Sequence, residues 1–221
     1  MNTHLHAYTP AGNGHRPEGL ANWPGISDAD DDLEHDSSHE LPPDAEAAAA
    51  AFLRALGLHL DNDGMRETPA RMARTYRELF TPAPFTFSTF DNDDGYDDLV
   101  LARDIPMRSV CEHHLLPFVG VAHVAYLPGA RIAGLSKLAR AVAHFGARPQ
   151  VQERMTTQIA DFIEEQLAPR GVGVVLNAEH SCMTVRGVRA QGTRTVTSAV
   201  RGRLREDARS RAEFFSLTQT S

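Results

Sequence analysis

The chain has 221 residues, 42% of them hydrophobic, enough for one domain with a sizeable core and a tail. Its net charge of −7 comes from one end: residues 1–40 hold a single arginine, Arg16, and eight acids, leaving 21 basic and 21 acidic residues elsewhere from totals of 22 and 29. A neutral body without a broad basic face argues against a nucleic-acid partner, and the lack of any apolar run near the roughly 18 residues of a membrane helix argues against a membrane.

The N-terminus lacks a basic-then-apolar signal pattern, so a cytoplasmic address is expected, where Cys111 and Cys182 stay thiols, buried or metal-bound. Residues 1–42 are rich in Gly, Pro, Asn, Asp, Ser and His without apolar periodicity, and read as a disordered acidic tail. The folded domain then runs from 43 to 221. Asp44 is placed to cap a helix over Ala45–Leu56 that stops at Gly57. Thr68-Pro69 opens a second helix, with Thr68 as cap, Pro69 in the first turn, and Met72, Tyr76 and Leu79 on one face.

Pro82 to Tyr96 reads as loop. Strand character follows over 98–107 and 119–127, then a turn at Pro128-Gly129. Ser136 suits the cap of a helix to about Phe145, and Pro149 the start of a longer one to about Ala168 with Val151, Met155, Ile159, Phe162 and Leu167 buried. Val172–Leu176 is a strand, extended by period-2 reading to Arg186, and Thr193–Arg203 is another with Thr195, Thr197 and Ala199 alternating. A short helix is expected over 207–215. Strand pairs segregated from helix pairs predict an α+β fold with a largely antiparallel sheet.

Cys111 and His114 are three apart, a spacing that lets both converge on one ion from a turn. The strand reading puts His180, Cys182, Thr184 and Arg186 on one face, from which Cys182 could complete a Cys₂His set. Thiolates plus imidazole favour zinc over calcium or magnesium. Three ligands with an open fourth position form a catalytic pattern, leaving His113 and His180 for proton transfer. Two blander readings stand beside it. A cysteine is often only a small buried hydrophobe, and His113 or His180 could close a four-ligand structural site.

Gly134-Leu135-Ser136-Lys137-Leu138-Ala139-Arg140 starts a helix whose free N–H groups attract anions, and Lys137 is the only lysine among 21 arginines. Lys137 and Arg140 share a helical surface, so a phosphate site fits there, and Arg186 could join it. There is no Walker-type glycine loop. Glu153 sits in the first turn of its helix; it is either a favourable charge at a helix start or a carboxylate able to accept the paired N–H and NH₂ of a guanine edge.

These residues closely resemble the GTP cyclohydrolase I family. The matching stretches are Cys111-Glu112-His113-His114-Leu115-Leu116-Pro117-Phe118, Gly134-Leu135-Ser136-Lys137-Leu138, Arg148-Pro149-Gln150-Val151-Gln152-Glu153-Arg154 and Glu179-His180-Ser181-Cys182-Met183 with Arg186-Gly187-Val188, preceded by Glu67-Thr68-Pro69-Ala70-Arg71. The similarity runs from about residue 45 to 215. It implies Zn²⁺ held by Cys111, His114 and Cys182. It also implies hydrolytic opening of the guanine imidazole ring of GTP, release of formate, and closure to 7,8-dihydroneopterin triphosphate, the first step towards tetrahydrofolate and other pterins. By the same resemblance His180 and His113 are acid–base residues, Gln152 lies near C8 and Ser136 near the ribose. Glu153 holds the guanine edge, and Lys137, Arg140 and Arg186 contact the triphosphate, with Arg71 arriving from a neighbouring subunit.

The fold implied is the tunnelling fold: an antiparallel four-stranded sheet, about 97–215, with a helix pair inserted between strands 2 and 3, preceded by N-terminal helices at about 44–81. The assembly implied is a homodecamer with its sites between subunits, in a family where allosteric control occurs. The tail, the loop 85–96 and Arg201-Gly202-Arg203-Leu204 depart from the family pattern. Two alternatives remain at this point: a same-fold enzyme that takes another purine nucleotide or stops early, and a non-catalytic zinc-stabilised assembly module.

Overall fold

The computed structural model describes residue 42 and residues 44–219, so the expected tail lies, but for Pro42, outside the described residues. Helix α1 (Ala45–Ala55) is an alanine-rich run of high helix propensity. Asp44 makes no side-chain cap; its carbonyl accepts from the Ala48 N–H at 2.8 Å. Gly57, at φ +82, ends the helix in the left-handed region. In α2 (Thr68–Phe80) the cap position belongs to Glu67 rather than Thr68, whose hydroxyl turns back to Met65 Sδ at 3.7 Å. The two helices pack chiefly on each other.

The loop expected over 82–96 contains a short strand, β1 (Thr89–Asp91). Next come β2 (Val100–Cys111), β3 (Pro117–Leu127) and β4 (Arg131–Ala133), which pairs antiparallel with β1. Helix α3 (Leu135–Gly146) is capped by Gly134, not Ser136, which stands inside the first turn. Strand β5 (Pro149–Gln150) takes Pro149 out of the following helix, α4 (Gln152–Leu167). A proline lacks the N–H that a central strand needs, and a two-residue edge tolerates it.

Strand β6 (Gly171–His180) stops at His180, and Ser181–Thr184 is a helical turn, α5. The expected strand through Arg186 is therefore corrected. The physical reason is its partner: β3 pairs with β6 up to Phe118↔His180, and beyond that point the ladder has only Pro117 and a turn. Strand β7 (Thr195–Gly202), the short helix α6 (Arg203–Glu206) and α7 (Ala208–Thr218) complete the described chain.

The main sheet has the order β5-β2-β3-β6-β7, antiparallel throughout except for the parallel β5–β2 contact. It thus carries the four expected long strands and one unexpected short one, with α3 and α4 inserted between β3 and β6. Alternation assigns the faces. Phe118, Ala122, Val124 and Tyr126 of β3 and Val172, Val174, Leu176 and Ala178 of β6 meet Leu138, Val142, Phe145, Met155, Ile159 and Phe162 of α3 and α4. The opposite face packs Ala125, Leu127 and Val175 on Leu204 and Phe214. That second layer explains the unbroken apolar run Val172–Leu176, which is buried on both sides. Gly173 makes room for it: a Cβ there would lie 2.7 Å from the Phe214 ring. Each fully buried large apolar side chain contributes about 1.5–3 kcal/mol. Among the described residues no helix is long and apolar enough to cross a membrane.

Candidate metal and acid–base site

The site is built where β2 ends. Val110 and Cys111 pair with Pro149 and Gln150, and the Glu112 N–H donates to the Gln150 carbonyl at 3.0 Å. The chain then reverses over Cys111–Leu116. Leu115 N–H donates to Cys111 O at 2.8 Å, and Cys111 N–H to Leu116 O at 2.9 Å. Leu115 sits at φ +53, an unusual conformation for a residue with a bulky side chain, and its carbonyl accepts from the Tyr76 hydroxyl at 3.1 Å. The turn is thereby held from three directions: by its own hydrogen bonds, by β5 and by α2.

Cys111 is buried, His114 exposed and Cys182, in α5, half-buried; their ligand atoms all lie within 4.8 Å of one another. Both cysteines are free thiols. Burial raises the Cys182 thiol pKa, the neighbouring Cys111 raises it further, and Arg186 works the other way. Burial and the nearby Cys111 thus favour the protonated Cys182 thiol, and a cation bound there would take that proton's place. Two sulfurs and one imidazole form a donor set that fits zinc. His113 stays beside this set, its Nδ1 3.8 Å from Cys111 Sγ and its ring largely exposed.

His180 closes the other side. Its ring stacks on Phe118 at 4.5 Å between centroids and 8° between planes, and its Nε2 lies 2.7 Å from Gln152 Oε1. Burial lowers its pKa from the ordinary 6.5, opposed by the carboxylate of Glu153. Gln152, 2% exposed, is the first residue of α4, and its amide nitrogen meets Leu176 O at 3.2 Å, Thr195 O at 3.0 Å and Thr197 Oγ1 at 3.1 Å. Glu153 follows it, exposed, in the same helical turn.

The chain thus gathers Cys111, His113, His114, Gln152, Glu153, His180, Cys182 and Arg186. Ser136 and Arg140 are exposed and Lys137 half-buried in the first turns of α3, and Arg71 is exposed on α2. Among the described residues no hydrogen bond or ion pair joins these four to the cysteine–histidine cluster.

Several supporting residues were not singled out from the sequence. Gln150, 1% exposed, donates from its amide nitrogen to Phe145 O at 2.9 Å and Gln158 Oε1 at 2.8 Å, while its Oε1 accepts from Arg154 Nε at 3.1 Å. Arg154 also pairs with Glu112. Phe118 and Thr156 likewise carry no spacing signal of their own, and the helical spacing of Tyr76 spoke only for a shared face with Met72 and Leu79. Only the Thr195–Thr197 alternation of β7 hinted at a buried polar face.

Comparison with known proteins places this arrangement. The family model described as GTP cyclohydrolase I matches residues 45–219. The GTP cyclohydrolase 1 of Aquifex aeolicus is 49% identical over 172 residues, covering 78% of this chain and 94% of that protein. That of Mycobacterium ulcerans is 53% identical over 182 residues (79% and 89%), and that of Streptomyces avermitilis 54% identical over 180 residues (78% and 88%). Among solved structures, the archaeosine synthase QueF-Like in the apo form aligns with 47% of this chain and 93% of its own at 17% identity and a TM-score of 0.38, a distant likeness that bears on neither site nor activity. With a matching family model over most of its length and relatives near half identity, the chain belongs to the GTP cyclohydrolase I family.

Proposed function

We propose that the chain catalyses the GTP cyclohydrolase I reaction: hydrolytic opening of the imidazole ring of GTP, loss of C8 as formate, rearrangement of the ribose, and closure to 7,8-dihydroneopterin triphosphate. The observation that carries this reading is the convergence of Cys111, His114 and Cys182 with two further histidines left beside them. In this reading Cys111, His114 and Cys182 would hold Zn²⁺, which would supply Lewis acidity for the attack of water near neutral pH.

The chain's own groups do the rest. His180, whose charged form burial disfavours, can accept a proton and return it to the guanine ring nitrogen as the ring opens. His113, on the exposed side of the cluster, is the second acid–base group. Glu153 accepts the paired N–H and NH₂ of guanine. Ser136 lies at the ribose, and Lys137, Arg140 and Arg186 neutralise the triphosphate against the positive end of α3.

We further infer the tunnelling fold and a homodecamer with sites between subunits. That assembly accords with Arg71, Ser136, Lys137 and Arg140 making, among the described residues, no hydrogen bond or ion pair to the cluster, since a second copy would then bring such groups to it. The catalytic domain is 43–221, with the tail over 1–42 apart from the chemistry. Unpaired thiols accord with a cytoplasmic enzyme.

The test is incubation of the zinc-loaded protein with GTP, following formate and the fluorescent pterin formed on oxidation. Absence of both overturns the reading. A cobalt-substituted sample whose spectrum reports four protein ligands and no exchangeable water would instead make the centre structural.

A further inference from the structure

We propose that Gln152 is a positioning residue that fixes which nitrogen of His180 faces the substrate, and that it donates no hydrogen bond to the substrate. The inference rests on the reading of His180 as the proton-transfer group.

The hydrogen bonds leave a single assignment. Leu176 O and Thr195 O are backbone carbonyls and can only accept, so the group facing them at 3.2 and 3.0 Å is the amide nitrogen of Gln152. Its oxygen therefore faces His180 Nε2 at 2.7 Å. An amide oxygen has no proton to give, so His180 must donate from Nε2. A neutral imidazole carries one N–H, and Nδ1 is left bare.

The hydroxyls behind the amide close the same logic. Thr156 Oγ1 donates to Gln152 O at 2.7 Å, which uses its proton. In the 2.6 Å contact between Thr156 and Thr197, Thr197 is then the donor. The lone pairs of Thr197 remain for the Gln152 amide nitrogen at 3.1 Å. Phe118 sets the plane of the His180 ring by stacking, and Gln152 sets its rotation within that plane. The residue is 2% exposed and both protons of its amide nitrogen face buried acceptors, so Gln152 has no donor left to offer C8. Protons exchanged with substrate pass through Nδ1 of His180.

A double-mutant cycle tests this in the zinc-loaded enzyme, with kcat, KM and zinc content read for each variant. Gln152→Met should lower kcat about 100-fold, the lower end for loss of a general acid–base contribution. KM and zinc content should be unchanged, and the same substitution in a His180→Ala background should change kcat less than about twofold, since neighbours that act as a unit are not additive. Gln152→Glu keeps an oxygen against Nε2 and should retain at least about ten times the kcat of Gln152→Met. If Gln152→Met does not fold, the cycle is run with Gln152→Glu and carries the same requirement. A raised KM with kcat preserved, or a full further loss in the His180→Ala background, overturns the proposal and returns Gln152 to the substrate. A wild-type enzyme that forms no pterin overturns the functional reading instead.

Discussion

Arg154→Met is a sensitive probe of how the metal turn is supported, because it removes two contacts of different character. The ion pair with Glu112 joins side chains that are 44% and 33% exposed, so solvent screening limits it to at most about 1 kcal/mol. The contact with Gln150 is smaller in appearance and larger in consequence. Gln150 is 1% exposed, and its amide cannot flip to compensate, because its nitrogen already faces two acceptors, Phe145 O and Gln158 Oε1. Loss of Arg154 Nε leaves Gln150 Oε1 as a buried acceptor without a donor, at about 1–3 kcal/mol. The expected destabilisation is therefore about 1–4 kcal/mol, read as a lowered urea midpoint in zinc-free protein at fixed protomer concentration. Arg154→Lys, which keeps the charge but loses the fork, should recover the ion-pair share only. A change below about 0.5 kcal/mol in Arg154→Met would refute the reasoning, as would equal behaviour of Arg154→Lys and wild type, because the orphaned oxygen is then not what matters.

Other expectations follow from the same geometry. Cys182→Ala should reduce zinc content to background together with activity; retained zinc by metal analysis removes Cys182 from the ligand set. His123, 1% exposed, accepts at Nδ1 from the Asp104 N–H at 3.2 Å, and burial lowers its pKa below 6.5 against the opposing Asp104 carboxylate. The unfolded state then binds the proton more readily. The stability His123 contributes is whole above pH 6.5 and is lost as pH falls below it, so His123→Gln should flatten the acid limb of stability against pH; an unchanged limb refutes this. Ala168 caps α4 at φ +45, so Ala168→Gly should raise stability by about 1 kcal/mol, and a lowered thermal midpoint would count against strain at that position.

The long strands were legible because their burial is periodic or continuous: β3 and β6 carry enough apolar residues to announce themselves without tertiary context. The candidate metal set was legible because the chain has only two cysteines and one of them lies three residues from a histidine, and the structure brings Cys111, His114 and Cys182 together. What escaped was decided by partners rather than by local sequence. Nothing in His180-Ser181-Cys182-Met183 signals a turn, and the strand ends there because β3 has run out beside it. The three-residue β1 exists only because β4 lies alongside, and β4 is itself anchored by an Ala133 N–H donating to the buried Tyr126 hydroxyl at 3.0 Å. Cap positions slipped for a related reason. Thr68 and Ser136 are good caps by type, yet Glu67 and Gly134 hold the position, because Thr68 and Ser136 already lie within the helical backbone. Gln150 and Arg154 lay in a matching stretch, but their amide and guanidinium contacts are visible only once β5 is laid against β2.

The Tyr76–Leu115 hydrogen bond makes the helix pair and the metal turn one thermodynamic system. Leu115 occupies a left-handed conformation that the turn must sustain, and α2 holds its carbonyl from outside. An ion that binds the ordered turn better than the disordered one also favours the docked position of α2. By reciprocity, whatever holds α2 in place raises affinity at the turn by the same factor. Tyr76, which bonds the residue next to His114 and is itself no candidate ligand, would thus couple the fate of the first two helices to the loading of the centre.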